Sequence, residues 1–391
     1  MRQSLALAGA VTLLGTLAVF AGAPSASAAD CGQLFDDFSY SSSSDTALTA
    51  HGWTPRSYSG GPGVSGATWS PNNITFPTAD GQKVMQLTAS TDGTGAGTNH
   101  AELYSTQKRY FEGTYASRVR FTDTPTGGSD GDHINETFFT ISPLNGDLDP
   151  TYSELDISEY LPNGGWGETG PINYQTTWYT YRNEPWYADN THSEQRSSLN
   201  GWHDLVATVA NGHVIYYIDG VQVGDHSGHV YPRQTMTINW NLWFIDTAAH
   251  SGGLSTYVQQ VDWVLFAKNR VLTPAQVSSS AAAYRSGGTT FTDTVDATGG
   301  CTNPPTTPPT TTPPTSPPTT PPTNPGNCSS AAEWAFATAY TGGQTVIHEK
   351  SRYGDPSGPA SGDGKHLWKA RYWTQGSEPG WTQQWEDLGR C

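Results

Sequence analysis

His213-Val214-Ile215-Tyr216-Tyr217-Ile218-Asp219-Gly220-Val221-Gln222-Val223 decides the fold. Two runs of β-branched and aromatic residues flank Asp-Gly, a pair that accepts the positive φ angles of a two-residue hairpin turn. The same short alternation recurs outward from it, in Tyr115–Phe121 (YASRVRF), Asp204–Val209 (DLVATV), Met236–Leu242 (MTINWNL) and Tyr257–Phe266 (YVQQVDWVLF). Only Pro274–Arg285 (PAQVSSSAAAYR) has helical spacing. Many short strands punctuated by Gly, Asn, Asp and Ser predict an all-β fold over residues 30–301, with two antiparallel sheets packed face to face.

The 391 residues hold 35 Asp+Glu against 19 Lys+Arg, a formal charge of −16. Such a chain lacks the basic surface that nucleic acid or an anionic membrane requires. Fourteen Trp and 19 Tyr among so few charges suit an uncharged, hydroxyl-rich ligand. Residues 1–29 read as a secretory signal: Arg2, an apolar run from Leu5 to Ala23, then Ala26-Ser27-Ala28-Ala29. The protein is therefore expected outside the cell, and no other stretch is apolar enough to span a bilayer.

Export makes disulfides of the four cysteines. Cys31 with Cys301 would tie the ends of the large domain, and Cys328 with Cys391 those of a short C-terminal module. The other two connectivities would bridge the modules. Between them, residues 302–326 are almost wholly Thr and Pro, with 11 prolines in 25 residues. Proline fixes φ and removes a donor, so a polyproline II spacer of roughly 80 Å at full extension is expected.

The chemistry concentrates in Glu154-Leu155-Asp156-Ile157-Ser158-Glu159. On an extended strand Glu154 and Asp156 share a face, whereas Glu159 has the wrong parity. A one-residue bulge between them would restore it, leaving the two glutamate Cα atoms about 13 Å apart. Side chains could then converge to the ~5–5.5 Å gap of retaining glycoside hydrolysis. Crowding would hold at least one carboxyl protonated beside an ionised one. A solvated acidic face and a Ca²⁺ site are the competing readings.

ELDISE resembles the E-x-D-x-x-E signature of glycoside hydrolase family 16, the laminarinase, lichenase and agarase group. The surroundings fit as well: His100–Gly113 (HAELYSTQKRYFEG), Gly201-Trp202-His203-Asp204 leading into Tyr216-Tyr217-Ile218-Asp219-Gly220, Met236–Trp243, and Val261-Asp262-Trp263-Val264. The resemblance covers most of residues 34–267. It implies a concanavalin-like jelly roll in which Glu154 is the nucleophile, Glu159 the acid/base and Asp156 a hydrogen-bonding partner of the nucleophile. It also implies a structural Ca²⁺ near Asp36, Asp37 and Asp262, with no other cofactor.

One departure is clear. The family's G-x-W-P-A-x-W segment is replaced by Asp132–Thr140 (DHINETFFT), so the sugar platform must come from elsewhere. Trp166, Trp178, Trp186 and Trp243 are candidate platforms, and Glu102 and Asn135 candidate hydroxyl ligands.

Residues 327–391 resemble a family 5/12 carbohydrate-binding module. Ala331-Ala332-Glu333-Trp334 and Ala339–Val346 match its opening, and Lys369–Gly376 (KARYWTQG) with Glu378-Pro379-Gly380 its aromatic segment. The resemblance implies chitin binding through Tyr372, Trp373 and Trp381, with Trp334 and Trp385 in the core. The expected protein is a monomeric, secreted retaining endo-β-glycanase acting on β-1,3-type glucan and anchored to chitin-containing walls. Alternatives are a chitin–glucan transglycosylase or β-galactan hydrolase on the same scaffold, and a non-catalytic lectin-like wall binder.

Overall fold

In the computed structural model, described residues are 32–297, 328, 331–335, 338–349, 365–371, 374–375, 379 and 385–391. The expected signal peptide, the Thr/Pro stretch, Cys31, Cys301, Tyr372, Trp373 and Trp381 lie outside them. The chain divides into two compact units, Met1–Thr306 and Thr307–Cys391.

The larger unit is the expected all-β jelly-roll sandwich. Its first sheet runs in the order Val221–Ser227, His213–Ile218, Gly201–Ala210, Gly113–Phe121 and Ser255–Lys268. The far edge of Ser255–Lys268 is shared by Met85–Thr91 and Gln33–Asp36. The second sheet runs Trp53–Pro55, Asn99–Ser105, Thr237–Phe244, Ile134–Ile141, Glu154–Leu161, Ile172–Arg182 and Tyr187–Gln195. All these pairings are antiparallel. The hairpin that anchors the sequence reading forms as expected: Asp219 (φ 49°) and Gly220 (φ 82°) make the two-residue turn, and Ile218 faces Val221.

Side-chain alternation assembles the core. In Thr237–Phe244 (TINWNLWF), Ile238, Trp240, Leu242 and Phe244 join the interior cluster. Asn239, Asn241 and Trp243 alternate with them and so face away. Trp240 anchors the interior, stacked on Phe138 (centroids 5.4 Å) and edge-on to Phe38 (5.5 Å). Each such fully buried large side chain contributes about 1.5–3 kcal/mol.

The outer faces of the two sheets differ. The first is covered by the helix Pro274–Ser286, whose Val277 and Ala281 pack on Phe35, Ala116, Val206 and Leu265. A Thr273–Gln276 capping box starts this helix, close to its expected start. A five-residue helix at Thr46–Ala50 was not expected, being too short to show a 3.6-residue period. Among the described residues no helix covers the outer face of the second sheet.

In the smaller unit Cys328 is bonded to Cys391. Thr345–Glu349, Lys365–Ala370 and Trp385–Arg390 form an antiparallel sheet, with Ala332–Glu333 added in parallel. Its core is Tyr340, Val346, Trp368, Ala370 and Trp385, with Trp334 packed against it. The two tryptophans assigned to the core thus line it; Trp368, not singled out in the sequence, joins them.

Candidate active site

The bulge exists and its extra residue is Ile157. Against Ile134–Ile141, Asp156 faces Phe139 and Ser158 faces Phe138, so Ile157 has no opposite number. Against Ile172–Arg182, Asp156 faces Thr176 and Glu159 faces Tyr174. Leu155, Ile157 and Tyr160 therefore all enter the core. Ser158 turns inward too and donates to Asn173 Oδ1 at 2.6 Å, a buried bond that holds the irregular register. Glu154, Asp156 and Glu159 are left together on the open face of the second sheet.

Among the described residues each of the three carboxyls has one side-chain donor. The Tyr152 hydroxyl donates to Glu154 Oε2, Trp178 Nε1 to Asp156 Oδ2 at 2.7 Å, and Asn135 Nδ2 to Glu159 Oε1 at 3.1 Å. Asp156 is buried, while Glu154 and Glu159 keep partial solvent contact. Burial raises the pKa of all three, because a charge loses its hydration there. Phe139, opposite Asp156, adds an apolar wall. Neighbouring charge lifts Glu154 further through Glu159, and Asp156 through Glu159 and Glu154. The single donors oppose the rise without cancelling it. The trio thus titrates as a unit: losing one proton makes the next harder to remove.

Aromatic rings border the trio. Trp178 stands opposite Glu154 and meets Tyr181 (5.8 Å) and the exposed Trp186 (6.5 Å) edge-on. Trp166, 53% exposed and held at φ 53°, lies 5.9 Å from Trp243. Trp243 itself, expected as an open platform, is only 6% exposed and backs Trp166 instead. Gly63 explains its placement: at φ 92°, any Cβ there would lie 2.8 Å from the Trp243 ring and 2.5 Å from the Phe244 carbonyl oxygen. Asn135 faces Trp243 across the strand pair.

Glu102 occupies the same face three strands away from the trio, opposite Asn241, but its carboxylate is taken by Arg56 at 2.8 Å. That guanidinium also donates to the Tyr58, Gly60 and Gly61 carbonyls and lies 3.9 Å from the Trp69 ring centroid. Glu102 thus pins a loop that carries the exposed Tyr58. His133, a polar residue at the strand end, pairs with Asp246 at 3.0 Å.

Tyr152, Phe139 and Tyr174 were missed from the sequence. Extending the two-residue alternation back from Glu154 would have placed Tyr152 on its side; Phe139 and Tyr174 need the cross-strand register, which sequence does not give.

The carboxylates considered for calcium are otherwise engaged. Asp36 accepts from Phe38 N, the Tyr40 hydroxyl and Trp53 Nε1, and Asp262 pairs with Arg285 at 2.5 Å and Arg118 at 3.7 Å. Asp37 accepts from Ser39 N. Among the described residues, no three His, Cys, Asp or Glu side chains converge to hold a metal ion.

No protein-family model and no curated protein matches the chain. Among solved structures it is similar to a β-glucanase of Bacillus licheniformis, at 18% identity over 61% of this chain and 98% of that chain, with a TM-score of 0.43. A glycoside hydrolase family 16 endo-glucanase from Bacteroides ovatus gives 15% identity, 59% and 98% coverage and a TM-score of 0.46. The κ-carrageenase from Pseudoalteromonas carrageenovora gives 15%, 63% and 98%, and 0.41.

Proposed function

We propose that the larger unit is a retaining endo-β-glycanase acting on a neutral, β-1,3-type glucan. The observation that carries this is the Ile157 bulge, which sets two glutamates and an aspartate on one open face. Burial and mutual repulsion keep the trio from ionising fully, so a protonated acid can stand beside an ionised nucleophile. Glu159 protonates the glycosidic oxygen while Glu154 attacks the anomeric carbon and that C–O bond breaks. In the second step Glu159 takes a proton from water, which displaces Glu154. Trp178 Nε1 fixes Asp156 between them.

The sheet face favours uncharged sugars. Asn135, Asn239, Asn241 and Thr176 offer amides and a hydroxyl, and the guanidinium of Arg56 is committed to Glu102 and to three backbone carbonyls. Asn135 Oδ1 and Trp243 Nε1 are buried polar atoms with no protein partner among the described residues. Sugar hydroxyls or water can satisfy them. An open face bordered by projecting rings admits a chain at internal positions, which supports endo cleavage. The resemblance of residues 327–391 to chitin-binding modules, and the leader-like residues 1–29, support a secreted enzyme tethered to chitin-containing walls. A tether raises local concentration without new catalytic contacts.

Azide rescue with an activated aryl β-glycoside tests the mechanism. Glu154→Ala with azide should yield the α-glycosyl azide, and Glu159→Ala the β-glycosyl azide. Laminarin, mixed-linkage glucan, agar and chitin oligomers, with products analysed by mass, assign the substrate and reveal any transglycosylation. Release of no reducing sugar from any of them would leave only a wall-binding protein.

A further inference from the structure

Tyr152 precedes the catalytic strand and is fully buried, yet its hydroxyl reaches Glu154 Oε2. No other donor among the described residues reaches Glu154. Tyr152 is held from two sides. Its ring meets Tyr181 edge-on, with centroids 5.3 Å apart. Its carbonyl accepts from Arg233 Nη2, which also donates to the Tyr179 carbonyl at 2.6 Å. Arg233 in turn lies 4.2 Å from the Tyr179 ring centroid and donates through Nη1 to the His229 carbonyl at 2.8 Å. The backbone N–H of Arg233 bonds Ser153 Oγ at 2.8 Å, so consecutive residues before Glu154 are clamped.

We infer that Tyr152 is a positioning residue that presents Glu154 for attack, fixing Oε2 and leaving Oε1 to bond the anomeric carbon. This rests on Glu154 being the nucleophile, as proposed above. Burial and the nearby Glu154 charge push the phenol well above its ordinary value, so it remains a donor. Its hydrogen bond is the largest influence that opposes the burial-driven rise of Glu154. When Oε1 is bonded to sugar, Oε2 becomes the ester carbonyl oxygen, and the same O–H continues to donate to it. The charged and titratable groups facing Glu154 are Asp156 and Glu159 on its own strand, Tyr152 before it, and Tyr181 from the neighbouring strand. Its partner on the other side, Ile141, carries no charge.

Tyr152→Phe in the full chain keeps the ring and removes only the hydroxyl. The acid limb of kcat/KM should move up by about one pH unit, with about a tenfold loss on that limb. A purely structural role would lower Tm and leave the limb in place. Site-specific 3-fluorotyrosine at position 152, a stronger donor, should move the limb the other way. A limb unmoved by either change overturns the inference. Azide rescue of Glu154→Ala separates the two readings: without an α-glycosyl azide the nucleophile assignment fails, whereas with it and an unmoved limb only the role of Tyr152 fails.

Discussion

Trp178 donates its indole N–H to Asp156 Oδ2 at 2.7 Å, joining an aromatic wall directly to the carboxyl trio. One side chain therefore serves both as a border of the open sheet face and as the donor that favours the charged form of Asp156. Trp178→Phe keeps an aromatic ring but removes the donor. A hydrogen bond to a carboxylate contributes about 1.5–3 kcal/mol, so kcat/KM should fall about ten- to hundredfold. Because the buried Asp156 carboxyl loses its donor, Tm should fall as well. Steady-state kinetics beside a thermal melt check both halves.

Glu136 offers a test by pH. It lies on the core side of Ile134–Ile141, fully buried, and its two carboxyl oxygens accept from Thr122 N at 3.2 and 3.3 Å. Burial raises its pKa well above the ordinary value. The folded state therefore holds a proton that the unfolded state releases. That contribution is fully present below the unfolded-state pKa near ~4.3 and is lost as pH rises toward the folded-state value. Glu136→Gln has no proton to release. Its melting temperature relative to wild type should rise from pH 4.5 to pH 8, because each tenfold difference in proton affinity between the folded and unfolded chain is worth about 1.4 kcal/mol. A constant difference across that range would contradict the buried, protonated carboxyl.

Gly63→Ala should act at a distance from the carboxyls. The new Cβ would collide with the Trp243 ring and the Phe244 carbonyl in a backbone conformation that side chains rarely adopt. Strain of this kind costs about 1–3 kcal/mol. Trp166 rests on Trp243, so KM should rise with kcat nearly unchanged. Substrate-saturation curves and a denaturant melt report the two effects.

Cys328→Ser should separate the two units. The Cys328–Cys391 bond closes a loop spanning 63 residues, worth about 4 kcal/mol of chain entropy. The small core of Tyr340, Val346, Trp368, Ala370 and Trp385 offers little to offset its loss. Retention on chitin should drop while hydrolysis of a short soluble substrate stays at wild-type rate. Limited proteolysis would locate the loosened segment.

Local rules made much of this legible. Asp219-Gly220 announced its turn because positive φ at two successive residues leaves few other choices. The helix at 274 showed its helical spacing, and Glu154, Asp156 and Glu159 required a bulge to share a face, which Ile157 supplies. Contacts between distant residues were hidden. Arg56 and Glu102 are 46 residues apart, so nothing nearby in sequence marks Glu102 as ion-paired. Trp243 has the correct parity for the open face, yet parity says nothing of Gly63 and Trp166 closing around it. Glu136 shows the converse: an acidic residue in a strand reads as solvated, and only the Thr122 amide explains a carboxyl turned inward.

The pairing of Leu34 with Asp293 stitches the opening strand of the larger unit to its closing one. Entry and exit thus share a single seam far along the chain from the Asp219-Gly220 turn. A circular permutant opened at that turn, with a short peptide joining residue 297 to residue 32, would retain every strand of the sheet that bears the carboxyls. New ends there would carry a fused partner at the turn, on the sheet opposite the one that bears the carboxyls.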